Sequence, residues 1–284
     1  MAFILDSMNQ EKQVLITKAN GKQELFDKTK LLGSLLRAGA TEEIAEELAD
    51  HIVGELKDGM STSQIYKHSF FLLNQKHKKA ALRYSLRRAI MELGPSGFPF
   101  EDFVAQIFQA KGYKTETGKI LLGGCVEHEV DVIAYNENKL LAAEVKFHNE
   151  LGIKTDLKVA LYVKARMEDL QENIFDFGGE RKIDEGWLVT NTKFTTTAIH
   201  YGECKDLILV GWNYPKAGNL QDLIEDAGLH PITCLSSLSE HHKKTLLSQG
   251  VVLCKTLRED GNLLSSLGFS PDEKKMIFEE IDLL

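Results

Sequence analysis

The chain has 284 residues, long enough for two or three modest domains. With 43% hydrophobic and 27% charged residues it has the composition of a soluble globular protein, and no apolar run is long enough to span a membrane. A formal net charge of −8 speaks against indiscriminate nucleic-acid binding. The start, MAFILDSMNQEKQ, lacks the basic and apolar regions of a signal peptide. The cysteines, Cys125, Cys204, Cys234 and Cys254, are widely spaced with no CxxC. Free thiols in a reducing cytoplasm are expected, rather than a disulfide frame or a zinc site.

The first predicted elements lie between about residues 10 and 93. VLITKANGKQEL reads as a hairpin with its turn at Ala19-Asn20-Gly21-Lys22. Asp27 is placed to cap a helix through Ala38, with Leu31, Leu32, Leu35 and Leu36 on one face. Thr41, followed by Glu42, Glu43 and Glu46, opens a second helix with the acids that its dipole favours. Ser61 or Thr62 opens a third. A basic helix follows, in a stretch from Met60 to Met91 that has no Asp or Glu. Its Lys79, Arg83 and Arg87 share one face, and Leu82, Leu86 and Ile90 form an apolar one. Such a patch is either a polyanion-binding surface or a solvated helix face.

The order of strand, Lys18, Asn20-Gly21, strand, Phe26-Asp27, Lys30 and LLGSLLRAG resembles the ATP-cone, the nucleotide-sensing module of ribonucleotide reductases and their repressor. STSQIYKHSFFLL and AALRYSLRRA are similar to that family's third and fourth helices, so the resemblance covers nearly all of residues 12–90. It implies ATP or dATP bound between hairpin and helices, with Lys18 and Lys30 on the phosphates, Asp27 beside the nucleotide, and Thr62, Arg87 and Arg88 contributing from the later helices. Ammonium groups and a helix N-terminus suit a triphosphate. Ala19 stands where the family usually has a basic residue, and Tyr66 where it often has His, which bears on affinity and nucleotide preference. The other reading is a small helical domain without a ligand.

Gly94-Pro95-Ser96-Gly97-Phe98-Pro99 reads as a linker. After it, FEDFVAQIFQAKGY predicts an amphipathic helix with Phe100, Phe103, Val104, Ile107 and Phe108 facing inward. Strands follow at about 119–122, 129–135 and 140–147, then a helix over roughly 155–170 and the strands GWLVTN and LILVGW. This order predicts a mixed α/β (α+β) core within a multidomain chain.

Two of these strands carry charges that are costly to bury unpaired, Asp131 in one and Glu144 with Lys146 in the next. The tripeptide ExK has little weight alone, since it occurs six times, at Glu55, Glu137, Glu144, Glu180, Glu203 and Glu273. The Glu144 copy differs in its apolar flanks, Leu140 to Ala143, Val145 and Phe147. Alternation puts Glu144 and Lys146 on one face. If Asn136–Lys139 is the turn, residues whose numbers sum to 275 lie opposite one another, and Asp131 meets Glu144 with Cβ atoms about 4.5–5.5 Å apart. Two carboxylates so placed repel unless a proton or cation lies between them, and oxygen ligands suit Mg²⁺ or Mn²⁺. Lys146 can then polarise a water or stabilise developing negative charge. The other reading is a buried salt-bridge network in a non-catalytic fold.

Asp131 followed by Glu144-Val145-Lys146 resembles the PD-(D/E)xK nuclease motif. Restriction endonuclease-like proteins of the Mrr type are similar around it. They commonly have a helix that begins with FE and ends in GY, here Phe100-Glu101 and Gly112-Tyr113. A glycine-rich turn into the Asp strand follows, here Gly123-Gly124-Cys125. The resemblance covers about 96–215 and implies that Glu101, rather than its neighbour Asp102, completes the metal environment. Tyr162 and Arg166, four apart on one helix face, would touch substrate phosphate or brace the site, or are ordinary helix surface. His128 and His148 read as supporting or packing residues more readily than as ligands or bases.

Residues 216–284 read as short helices. LSEHHKKTLLSQGVVLCKTL is loosely similar to a helix-hairpin-helix DNA-binding unit, although only Gly250 marks its turn; a helical cap or a dimerisation element fits equally. His241-His242 reads as surface. Three regions are thus expected, a nucleotide-sensing domain at 10–93, a restriction endonuclease-like domain at 96–215 and a helical region at 216–284. The expected activity is metal-dependent DNA cleavage by a cytoplasmic homo-oligomer, dimeric or higher, regulated by ATP or dATP, in restriction or phage defence. No P-loop occurs, so the nucleotide is expected as effector rather than fuel. The alternatives are a nucleotide-sensing DNA-binding regulator with an inactive nuclease fold, and a structure-specific repair nuclease.

Overall fold

Side-chain caps set the helix starts of the N-terminal part, much as the sequence predicts. The computed structural model describes residues 14–94, 100–150 and 152–284, so the first 13 residues and, beyond Gly94, the expected linker lie outside the described residues. The chain divides into two compact units, Met1–Tyr84 and Ser85–Leu284. In the first, β1 (Leu15–Thr17) pairs antiparallel with β2 (Gln23–Leu25). Asp27 caps α1 (Lys28–Arg37), and Thr41 caps α2 (Glu42–Glu55). Ser61 and Gln64 form a reciprocal capping box on α3 (Thr62–Lys76). Val14, Ile16, Leu31, Leu35, Leu48, Ile52 and Leu73 are buried together. Leu36, expected inward, is 42% exposed, because it sits a third of a turn round from Leu35.

The basic helix is α4 (Lys78–Leu93). Its Ala80 and Ala81 belong to the first unit's core, whereas Leu86, Ala89, Ile90 and Leu93 belong to a core of the second. The division at Tyr84 therefore falls inside a helix rather than at the expected break after residue 93. A helix can change the core it serves by changing its buried face, with no loop to mark the change.

In the second unit α5 (Phe100–Ala110) is followed by β3 (Lys114–Leu122), β4 (Glu127–Tyr135) and β5 (Leu140–Lys146). Then come β6 (Lys154–Thr155), α6 (Leu157–Leu170), the two-strand ribbon β7 (Phe175–Asp176) and β8 (Glu180–Arg181), β9 (Glu185–Thr190), β10 (Lys193–Phe194), α7 (Thr196–Cys204) and β11 (Leu207–Val210). The main sheet has the order β11-β9-β5-β4-β3, antiparallel through β3, β4 and β5 and parallel through β5, β9 and β11. On one face Phe103, Val104 and Phe108 of α5 are buried with Val132, Ala134, Leu141 and Ala143. On the other, Ala160, Val163, Met167 and Leu170 of α6 are buried with Ile133, Leu140, Ala142 and Leu188. This is the expected mixed sheet flanked by helices. Gly186 lets α6 approach, since a Cβ there would come 2.7 Å from Met167 Cγ. Sequence reading missed α7, a short helix capped by Thr195 that opens with Thr196 and Thr197.

Toward the C-terminus, α8 (Leu220–Asp226) buries Leu220, Leu223 and Ile224 in the same core as α5, so the second unit continues past residue 215. Four helices, α9 (Glu240–Ser248), α10 (Cys254–Glu259), α11 (Asn262–Ser266) and α12 (Pro271–Ile281), enclose a further core around Leu235, Leu246, Leu257, Leu264 and Ile277. The buried Glu280 carboxylate accepts the Ser236 and Ser237 N–H groups at 2.7 and 2.9 Å. The α9–α10 turn does not follow the helix-hairpin-helix expectation. The N–H groups of Gln249, Gly250 and Val251 bond back into α9, and that of Cys254 bonds to the His230 carbonyl, so they are not offered to a phosphate. All four cysteines are free. Among the described residues, no helix is long and apolar enough to cross a membrane.

Phe103 is fully buried at the α5–sheet interface. Phe103→Ala is expected to cost about 3–5 kcal/mol, read as a lower urea midpoint with an unchanged slope.

Candidate active site

Strand pairing places the three charged strand residues, and it breaks where they begin. Between β4 and β5 the register is Val132 opposite Ala143 through Tyr135 opposite Leu140, each pair summing to 275 as expected. The regular pairing stops one step short of Asp131 and Glu144. In its place the Asp131 carboxylate accepts the Val145 N–H at 2.7 Å. On its other side, β4 pairs with β3 at Val130 and at Val132 but not at Asp131, whose counterpart by register is Gly118 with φ +61°. Val130 then packs on the α6 side together with Ile133, against the alternation of a regular strand. Glycine accommodates that irregularity, which turns a ladder position into a side-chain position.

The carboxylates around this break feel one another. Burial first, and then the charge of Asp131, push Glu144 up to about 7, against the pull of Arg166 and Lys146. Asp131 is raised as well, chiefly by burial, with Glu101 adding repulsion and the Val145 N–H opposing it. Glu101, in the first turn of α5, thus acts on both strand carboxylates. Asp102 instead accepts a hydrogen bond from Thr117 on β3 at 3.2 Å. Lys146, exposed at the end of β5, bears on Glu144 from one side and on His148 from the other.

One residue neutralises much of this charge. Arg166 on α6, with a side chain only 10% exposed, donates from Nη1 to Glu144 Oε2 and to the Glu129 carbonyl, and from Nη2 to the Tyr162 hydroxyl. Its guanidinium carbon lies 4.6 Å from the centre of the Tyr162 ring. Tyr162 and Arg166 therefore share a face, as their spacing predicts, and Arg166 is tied to the acidic cluster itself. Arg166 contacts Glu144 and its charge also acts on Asp131. Carboxylate oxygens such as those of Asp131, Glu144 and Glu101 are the donor type that a hard divalent ion such as Mg²⁺ or Mn²⁺ prefers.

Behind the site lies a rack of buried polar groups that sequence reading missed. Thr190 Oγ1 donates to the Lys146 carbonyl at 2.7 Å, and Thr155 Oγ1 donates to Thr190 at 3.1 Å. Asn191, fully buried, accepts the His148 N–H at 2.8 Å and donates to the His148 carbonyl at 2.9 Å. The His148 ring bonds Thr155 at 3.0 Å, and burial together with Lys146 lowers its pKa. The signal was the polar run Thr190-Asn191-Thr192 at the carboxyl end of a parallel strand, where open α/β sheets place their sites. His128 lies elsewhere, 2.7 Å from Asp169, which also accepts the Cys125 and Val126 N–H groups and so holds the glycine-rich turn. These bonds, His128 first, bring the Asp169 carboxyl down to about 2.

In the first unit, the residues expected at a nucleotide partly converge. Lys18 Nζ lies 2.5 Å from Glu24, and Lys30 Nζ lies 3.6 Å from Glu24 and 3.8 Å from Asp27. Thr62 opens α3 directly after Ser61, which bridges to Thr17 beside Lys18. Arg87 and Arg88 belong to the second unit. The Arg87 Nε is buried without a partner, and burial lowers the pKa of that guanidinium.

Comparison with known proteins relates two stretches of the chain to known families. Residues 94–212 match the restriction endonuclease (Mrr_cat) family, and residues 230–284 match the AF1548-like, C-terminal family. An uncharacterized protein of Archaeoglobus fulgidus is 33% identical over 178 residues, which are 62% of this chain and 97% of that protein. A crystal structure of a protein of unknown function, AF1548, aligns with 32% identity and a TM-score of 0.48, over 64% of this chain and 95% of that one.

The raised Glu144 gives a pH test. Between its ordinary value of 4.5 and about 7 the folded chain holds a proton that the unfolded chain has released. Stability of the metal-free protein should therefore fall as pH rises through that window and level off above it, by a total on the order of 3 kcal/mol. Glu144→Gln should flatten this part of the pH–stability curve, measured by thermal melts in chelator between about pH 5 and pH 8.

Proposed function

Since this chain belongs to the same family as the Archaeoglobus fulgidus protein and carries a restriction endonuclease-like domain, we propose that it is a metal-dependent endodeoxyribonuclease of PD-(D/E)xK type. The observation that carries this reading is the convergence of the charges of Asp131, Glu101 and Lys146 on Glu144, at the break in the β4–β5 ladder where Asp131 accepts the Val145 N–H. Asp131, Glu144 and Glu101 would hold the cation. Bound Mg²⁺ or Mn²⁺ would supply Lewis acidity and a more acidic water at the scissile phosphate. Lys146 would orient the attacking water and stabilise negative charge that develops on the phosphoryl oxygens. Arg166, freed from Glu144, would turn with Tyr162 toward a DNA phosphate. Thr190 and Asn191 would keep the backbone of β5 fixed while this happens.

The first unit would act as the sensor, in the manner of an ATP-cone. Lys18 and Lys30, now paired with Glu24, would exchange that carboxylate for nucleotide phosphates, with Asp27 and Thr62 beside them. ATP or dATP would then be an allosteric effector of cleavage. One set of catalytic groups cuts one strand, so double-strand breaks would need two copies, in keeping with a homo-oligomer. Restriction or phage defence in the cytoplasm is the role such an enzyme would serve. The Glu144–Arg166 pair supports a second reading, a nucleotide-sensing DNA-binding regulator, because it satisfies Glu144 without any ion.

Nicking of supercoiled plasmid with Mg²⁺ or Mn²⁺ separates the two. Asp131→Ala and Lys146→Ala should each lower the rate by about 100-fold or more. Cleavage by both variants at the parent rate would remove the catalytic assignment, and DNA binding without metal-dependent nicking would select the regulator. For the sensor, millimolar ATP or dATP should raise the melting temperature of the parent but not of a Lys18→Ala/Lys30→Ala variant. An unchanged parent melting curve and cleavage rate would sink the regulatory half.

A further inference from the structure

Away from the carboxylate cluster, the first unit gathers three metal-ligating side chains that neither the nuclease chemistry nor the nucleotide reading employs. His51 and Glu55 are one turn apart on α2, and His68 comes from the second turn of α3. His51 Nε2 lies 3.2 Å from one Glu55 oxygen, and His68 Nδ1 lies 3.0 Å from the other. The two imidazole rings meet edge to face with centroids 5.5 Å apart. One donor atom from each residue falls within 4.8 Å of the other two. We infer that His51, Glu55 and His68 form a binding site for one Zn²⁺-class transition-metal ion, which clamps the end of α2 to α3.

Geometry and donor chemistry both support this. Ligands at about 2.0–2.1 Å from a tetrahedral ion lie roughly 3.3 Å from one another. His51 Nε2 and His68 Nδ1 already lie near that distance from different oxygens of Glu55, and rotation of the half-exposed side chains brings one donor from each residue, now within 4.8 Å of the other two, onto a single ion. Two imidazoles and one carboxylate form a borderline-soft set, which favours Zn²⁺, Co²⁺ or Ni²⁺ over Mg²⁺. The oxygen-only cluster at Asp131 and Glu144 has the opposite preference. The side chains are 48%, 51% and 35% exposed, so an ion can reach them and a water can complete its coordination. A clamp here would fix the start of α3, which carries Thr62.

The site is independent of the nuclease reading, and its test uses the full chain freed of metal by chelator and dialysis. The parent should bind one more equivalent of Zn²⁺ than His51→Ala or His68→Ala, by calorimetry in excess Mg²⁺ to mask the oxygen-only site. Zn²⁺ should raise its melting temperature, and each variant should lose that rise. Co²⁺ should give intense visible d–d absorption in the parent and at least tenfold less in the variants. Should an alanine variant fold poorly by circular dichroism, His51→Gln and His68→Gln keep the size and polarity and serve in its place. Equal Zn²⁺ stoichiometry and equal Co²⁺ spectra in parent and variants would overturn the site, leaving a plain carboxylate–imidazole hydrogen-bond cluster. A Zn²⁺ signal lost only in Asp131→Ala would assign the ion to the nuclease carboxylates instead, and would equally overturn it.

Discussion

The hydrogen bond from the Val145 N–H to the Asp131 carboxylate is the point on which the rest of the second unit turns. A regular antiparallel ladder would give that N–H a backbone carbonyl, and every strand side chain would then alternate between two apolar layers. Here β4 leaves the ladder at Asp131, beside Gly118 on β3, and a side-chain oxygen replaces the backbone acceptor. The exchange keeps Val145 satisfied and holds one carboxylate at the sheet's end next to a second, on Glu144. Both are mostly withdrawn from water, and the charge of Asp131 makes ionisation of Glu144 harder. An arrangement of this kind is costly unless a cation shares it.

Several packing features keep that arrangement in place. Two apolar layers, one under α5 and one under α6, grip the central strands from both sides. The α5 layer brings Glu101 within electrostatic reach, and the α6 layer brings Arg166 to Glu144. The polar rack of Thr155, Thr190 and Asn191 ties the backbone just beyond Glu144 to the neighbouring parallel strand. Catalytic geometry of this sort depends on supporting groups as much as on the reacting ones. None of the three rack residues bears a charge, and their one marker in the sequence is the polar run Thr190-Asn191-Thr192.

Much of the fold is legible in the sequence. Helix starts at Asp27, at Thr41 and at Ser61 or Thr62 follow from capping chemistry, which is local and acts over three residues, and Ser61 is the third cap. The β4–β5 register follows from one tight turn and from period-two alternation, and it holds from Tyr135 opposite Leu140 to Val132 opposite Ala143, one pair short of Asp131 and Glu144. What escaped were features without a local marker. The short helix α7 has little hydrophobic periodicity, and the change of core along α4 leaves no break in the chain. The turn after α9 looked able to grip a phosphate, yet its N–H groups are committed to α9 and to His230, a partner about twenty residues upstream.

Composition, alternation and spacing alone determined that this chain pairs a small helical unit with a mixed α/β one, and that Asp131, Glu144 and Lys146 belong to adjacent strands. Those are short-range matters, set by turn geometry and the period of each element. Only the tertiary structure decided which long-range partners complete the picture. Arg166 comes to Glu144 from 22 positions away, and Asn191 comes to His148 from 43. His51 and His68, on separate helices, come to the two oxygens of Glu55. Hydrogen bonds and ion pairs of that kind reach only about 3 Å, so they exist where packing has already brought helices and strands together, and no period in the sequence encodes that meeting.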